Sequence, residues 1–194
     1  MDSCLLDVIH EDGTVLRQAT RREVHERGLL HEEVHVWFYT VRGEVFFQHR
    51  AKDKDTHPDM LDATVGGHVE AGDTYEETVI RETEEETGIR IKPENLTFLR
   101  TTITRSYDPV TGMTNHARRN VYAYRCDGRL EDLKVEEGQA IGFEACMIDR
   151  FLVSPEQDAA RFNPSVFREL GVGIMEQIRD LIKGGPFIVR SSSA

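Results

Sequence analysis

Basic charge is in short supply in this sequence. Lys and Arg number 24 against 35 Asp and Glu, a net charge of −11 at pH 7. Nucleic-acid backbones demand a basic field, so a nucleic-acid partner is not expected. Cysteine is scarce too. Cys4, Cys126 and Cys146 are far apart and odd in number, and none stands at zinc-ligand spacing. They fit free thiols in a reducing compartment rather than a disulfide framework. Long apolar runs are missing: nothing approaches the ~20 residues that cross a bilayer. The start, MDSCLLDVIHEDG, has neither the basic end nor the apolar run of a signal peptide. Together these absences point to a cytoplasmic protein with no membrane partner.

What is present fits one domain spanning 1–194, with 39% hydrophobic residues and enough length to bury a full core. Cys4–Ile9 and Val15-Leu16, around the turn signal Asp12-Gly13, predict an N-terminal hairpin within about 1–30. Arg21–Arg27 can form a helical turn. Glu33–Val41 and Glu44–His49 are dense in β-branched and aromatic residues around Arg42-Gly43, which predicts a second hairpin. Residues 51–59 read as a polar loop, and Leu61–Val65 as a short strand running into Gly66-Gly67. Further strands are expected at Leu96–Ile103, Asn120–Arg125 and Gln139–Met147, with a short helix from Asp149. Val166, Leu170, Ile174, Ile178 and Leu181 stand at helical spacing and predict a closing helix over about 165–183. That helix could close the core or meet a second copy in a homodimer. Mixed strands with two or three helices argue for an α+β sandwich, with a mixed sheet between helices.

The densest charge lies in GGHVEAGDTYEETVIRETEEETGI, residues 66–89, which hold eight carboxylates and, His68 aside, the single basic residue Arg81. A helix is expected from about Thr74 to Thr87, with Asp73 or Thr74 as N-cap and Gly88 just past its end. Glu82, Glu85 and Glu86 stand at i, i+3 and i+4, on one helix face, where like charges weaken a helix unless something compensates. A solvated acidic face is one reading. The other is a hard divalent cation held by oxygen ligands. Gly66-Gly67 favours the second, because glycine lets a backbone carbonyl approach such an ion. Arg81 can tie the helix to Asp73 in the loop ahead, and Val79 and Thr83 should turn toward the core.

Gly67, five residues, Asp73, seven residues, then Arg81-Glu82-Thr83-Glu84-Glu85-Glu86-Thr87-Gly88-Ile89 resembles the Nudix box of the Nudix hydrolases. Asp73 stands where that box has Glu, and Thr83 where it has an aliphatic residue. The resemblance implies the family's α/β/α sandwich and hydrolysis of a diphosphate linkage in a nucleoside diphosphate derivative or related small molecule, assisted by Mg²⁺ or Mn²⁺. It implies Glu82, Glu85, Glu86 and the Gly67 carbonyl as metal ligands, and Arg81 with the three glutamates as the catalytic group. Asp73 and Gly88 become structural supports. A loop glutamate could serve as an additional base, and Glu137 is the candidate.

From Leu6 to Ile89 the chain also resembles the Nudix branch related to type I isopentenyl-diphosphate isomerase, through His25, His31, VFFQHRAKDK and Gly-Gly-His. In that light Arg50 and Lys54 are expected to hold the substrate diphosphate, with His68 also at the substrate. His25, His31 and His68 could form a second metal site, but the carboxylates that would complete it fall at Asn115 and Ala117. Isomerisation is disfavoured because Gly66 stands where the isomerase has its reactive cysteine, and glycine moves no proton. A non-catalytic diphosphate-binding module is the other alternative. Substrate choice is expected from segments 105–119 and 154–165.

Overall fold

The protein is described by a computed structural model over residues 4–54, 56–153, 159–164, 166–167 and 173–184. The tail PFIVRSSSA, Leu170 and half of the expected specificity segment 154–165 lie outside the described residues.

The chain begins with the expected hairpin, β1 (Leu5–Ile9) and β2 (Val15–Thr20), then α1 (Arg21–Arg27). Leu6, Val8, Ala19 and Val24 form its own small apolar cluster. The backbone of Ala71 donates to Leu5, which docks the hairpin beside the loop that leads into the acidic helix.

A seven-stranded mixed sheet follows: β3 (Leu30–Tyr39), β4 (Glu44–Arg50), β5 (Leu61–Asp62), β6 (Val65–His68), β7 (Leu96–Tyr107), β8 (Thr114–Arg125) and β9 (Ala140–Met147). β3 is parallel to β8 along its whole length, and the other pairings are antiparallel. The second hairpin forms, but it splays. β3 meets β4 only at Tyr39–Val45, and from Val36 back to Glu33 it pairs with β6 instead. β4 turns away to β5 and β9. This divergence of β4 and β6 positions the functional cavity.

Alternation along β3 supplies two cores. Val34, Val36 and Phe38 pack with Phe46, Val65 and Val79, under the acidic helix α2 (Tyr75–Thr87). Trp37 and Tyr39 pack on the other face with Phe47, Val121, Ile174, Met175 and Ile178. The sheet is thus sandwiched between α2 on one face and α4 (Ile174–Ile182) on the other, with the short α3 (Ile148–Val153) beside α4. This is the expected α+β sandwich.

Two expectations change. The closing helix is not continuous from 165, because Gly173 adopts the left-handed backbone (φ 87°) at the start of α4. The strands expected at Leu96–Ile103 and Asn120–Arg125 are longer, β7 running on to Tyr107 and β8 starting at Thr114, so the segment 105–119 consists mostly of their ends. Only the turn around Asp108–Gly112 is irregular, and Asp108 accepts from Val110 and Thr111 to close it.

Candidate active site

Helix α2 is built to present its carboxylates. Thr74 caps it: Glu77 N–H donates to Thr74 Oγ1 (3.2 Å) and Thr74 N–H donates to Glu77 Oε2 (3.0 Å), a closed capping box. Gly88 ends it at φ 70°, its N–H donating to Glu84 O, and a Cβ there would strike the Lys134 side chain. Val79 and Thr83 are fully buried, anchoring the helix on the sheet.

This anchoring turns Glu82, Glu85 and Glu86 into a cavity of about 200 Å³ between β4 and β6. Glu86 is buried; it accepts from Gln48 Nε2 (3.0 Å) and from the Gly66 N–H (3.2 Å). Burial and then neighbouring Glu82 push its carboxyl up to about 8. Burial likewise pushes Glu82 up to about 7, against the pull of Arg81 and with the help of Glu85. Gly67 must be glycine, since a Cβ there would stand 2.3 Å from Glu82 Cγ. Arg81 donates to Glu82 Oε1 (2.7 Å) and to Asp73 Oδ2 (3.3 Å), and lies 3.7 Å from Glu85 Oε2. The shorter Asp73 side chain therefore still reaches Arg81.

The other expected residues fall differently. Lys54 lines the cavity and donates to Gln139 Oε1. Arg50 lines it too, but its guanidinium is engaged: Nη1 to Asp62 (2.9 Å), Nε to His57 O (3.1 Å) and Nη2 to Thr56 O (2.8 Å). It braces the loop between β4 and β5. Glu137 is exposed and absent from the cavity wall, whereas Glu136 faces the cavity, its carboxyl raised by burial and then by Glu85. A turn at Gly138 (φ 79°) follows, and sequence alone cannot say which of two adjacent glutamates points inward.

His25, His31 and His68 converge with Glu33, with one ligand atom from each within 4.8 Å of the others. Sequence placed the missing carboxylates at Asn115 and Ala117; the structure brings one from β3 instead. The signal was there, because Glu33 stands two residues from both His31 and His35, on the same strand face. His25 Nε2 and His68 Nε2 are 3.1 Å apart, and His68 Nε2 is 3.3 Å from Glu33 Oε1. Burial, then Arg21, hold the His68 imidazole well below its usual value, so it is neutral and a competent ligand. Burial works to raise Glu33, yet the buried Arg119 guanidinium, donating from Nε at 3.0 Å, holds it well below the carboxylate range. A nitrogen-rich set of this kind suits a borderline metal such as zinc better than Mg²⁺, whereas the all-oxygen set on α2 suits a hard cation.

The family model described as the NUDIX domain matches residues 29–169. The chain belongs to the Nudix hydrolase family. It is 30% identical over 158 residues to an uncharacterised Nudix hydrolase of Clostridium acetobutylicum, covering 78% of this chain and 75% of that one. Other curated Nudix relatives match over 84 residues, about half their own length (46%). Among solved structures, DR0079 from Deinococcus radiodurans superposes with a TM-score of 0.65 at 23% identity, covering 87% of this chain and 98% of that one. The NUDIX domain of Shewanella oneidensis NrtR, complexed with ADP ribose, superposes at 0.52 with 15% identity, covering 77% and 86%. Those two likenesses concern the fold. As a Nudix hydrolase, the protein is an enzyme acting on pyrophosphate bonds, and enzymes of this family generally use divalent metal ions. These matches do not single out an isomerase-like branch.

Proposed function

We propose that this Nudix hydrolase cleaves a diphosphate linkage in a small nucleotide-derived molecule by water attack on phosphorus, with Mg²⁺ held by Glu82, Glu85, Glu86 and the Gly67 carbonyl. The observation that carries this reading is Glu86, a buried carboxylate that accepts from two neutral donors, Gln48 and the Gly66 N–H, and is raised to about 8 beside a second one raised to about 7. Such a pair is costly unless a cation from outside compensates it. When bound, the metal offsets the charge of both the carboxylates and the diphosphate and acidifies water.

The chain's own residues do the rest. Arg81 holds Glu82, and through Asp73 fixes the loop before α2. Gly66 N–H and Gln48 aim Glu86. Lys54 brings a positive charge to a wall that would otherwise repel an anionic substrate, while Arg50 shapes that wall. Glu136 lies where it can take a proton from the attacking water. The free thiols support a cytoplasmic setting.

Isomerase chemistry finds no support here. Gly66 has no side chain to carry a proton, and a Cβ there would press on the His35 ring at 3.3 Å. The test is a panel of nucleoside diphosphate derivatives incubated with and without Mg²⁺ in ¹⁸O-water. Turnover that needs the metal, places ¹⁸O on phosphate and disappears in Glu86→Gln is expected. Turnover unchanged in Glu86→Gln would overturn the assignment. A ligand that binds tightly and survives uncleaved would favour a binding module instead.

A further inference from the structure

The cavity wall has a second region, carried by the start of α1, by β3 and β8, and by Glu70 in the loop between β6 and α2. Arg21, Glu33, Glu70, Asn115 and Arg119 line it. We propose that this wall is a subsite for a hydroxyl-rich, polyol-like group, such as a sugar ring, on the substrate's diphosphate, and that the enzyme selects substrates by that group rather than by a nucleobase or an apolar chain. The proposal rests on the diphosphate-hydrolase reading above and specifies what lies beyond the diphosphate.

Three observations carry it. The first is what the wall is made of. Cys4 apart, every described residue lining the cavity is polar, charged or glycine, with no Phe, Tyr, Trp or aliphatic side chain among them. A nucleobase gains about 1–3 kcal/mol by stacking on an aromatic face, and the only aromatic rings among the described lining residues, His35 and His68, are largely buried, His68 being already stacked on His31. Trp37 and Phe38, the nearest candidates in sequence, are fully buried in the two cores. An isoprenoid chain would lose the apolar wall it needs on leaving water.

The second is the charge balance. Glu33 is paired with Arg119, and Glu70 stands in the same wall as Arg21. Opposite charges in equal number do not call for a further phosphate. They offer donors and acceptors side by side, which suits hydroxyl groups that both give and take a hydrogen bond.

The third is an unspent acceptor. Asn115 Nδ2 donates to Glu33 Oε1 (3.0 Å), which fixes the amide, and leaves Asn115 Oδ1 buried with no hydrogen-bond partner. A buried acceptor without a donor is costly, and a ligand hydroxyl would satisfy it. The enclosed volume of about 200 Å³ is below the roughly 300–1,000 Å³ of pockets that engulf drug-sized ligands. It suits a compact ring with its diphosphate, any remaining nucleoside lying toward solvent.

The test is calorimetric binding of methylene-bridged, non-hydrolysable diphosphate analogues to the wild-type enzyme with Mg²⁺. Turnover does not enter the readout, so failure of the hydrolase reading shows separately in the ¹⁸O experiment. Exchanging the base while keeping the sugar should change affinity less than roughly 3-fold. Removing a sugar hydroxyl, or replacing the sugar by an isopentenyl group, should weaken it by about 10-fold or more, as when a site built for a hydroxyl is denied one. Asn115→Leu should flatten the difference between the hydroxylated and deoxy ligands. Asn115→Ser, which retains an acceptor, should keep part of it, and both variants are checked by thermal melting. A base exchange that outweighs hydroxyl loss, a hydroxyl preference intact in a folded Asn115→Leu, or no binding of any sugar analogue would each overturn the proposal.

Discussion

Two carboxylates, Glu86 and Glu33, are buried to nearly the same degree in one cavity, and their environments pull them in opposite directions. Glu86, on α2, is raised to about 8 by burial and by Glu82. Glu33, on β3, is held well below the usual range because Arg119 meets it inside the fold. Burial alone therefore does not set the state of a carboxylate; the source of its counter-charge does. Glu33 has its cation in the chain, whereas the hydrogen-bond partners of Glu86, Gln48 and the Gly66 N–H, are neutral. The first arrangement ties two strands together. On the proposed function, the second is completed when a metal ion binds.

The comparison can be broken most forcefully at either carboxylate's support. Glu86→Gln should lower hydrolysis by roughly 10³-fold or more, as loss of a main electrostatic contributor does, in steady-state assays at saturating Mg²⁺. It should not lower the stability of the metal-free protein at pH 8, since it removes an uncompensated charge. Arg119→Met should do the reverse. With Glu33 buried and unpaired, unfolding in urea should show a loss of about 3–5 kcal/mol.

Next comes the loop pair. Glu136→Gln should reduce kcat by about 10²-fold, within the range for a lost general base, while Glu137→Gln should stay within about 2-fold. Equal effects would remove Glu136 from the proton path.

The pH dependence sharpens the contrast further. For Glu82 and Glu86 the folded values lie above the ordinary carboxylate value, so between the two the metal-free fold holds protons that the unfolded chain has released. The contribution of these two groups to stability should fall as pH rises from about 5 through about 8, while the depressed His57, His68 and His116 act in the opposite sense below the ordinary histidine value of about 6.5. Glu33 has the opposite sign: its contribution is present above the ordinary value and is lost as pH falls below it. Thermal midpoints in chelator should decline between about pH 7 and pH 8.5, above the ordinary histidine range, Glu82→Gln/Glu86→Gln should flatten the decline, and Mg²⁺ should restore the midpoint at pH 8. The smallest effect is expected at the helix start, where Thr74→Ala should cost about 1 kcal/mol by opening the capping box.

Much of the acidic helix was legible in the sequence, because its signals are local. Capping, the i, i+3, i+4 carboxylates, the glycine stop and the buried Val79–Thr83 pair all follow from spacing along one element. The cavity's second wall was not. Glu33, Asn115 and Arg119 come from strands far apart in sequence, and they meet only because β3 runs parallel to β8 in one particular register. Arg50 misled for a similar reason. A basic residue at a strand end reads as an anion binder until the fold shows Asp62 and two carbonyls already taking its guanidinium.

The sequence by itself determined the family, the helix that gathers Glu82, Glu85 and Glu86, and the absence of a cysteine at Gly66, since each is written within one continuous stretch. Only the tertiary structure decided that Glu33 has its cation inside the chain, which of Glu136 and Glu137 faces the cavity, and that the described residues lining the cavity are, Cys4 apart, polar, charged or glycine. Those are questions of strand register and of which side chains share a cavity, and long-range pairing fixes both.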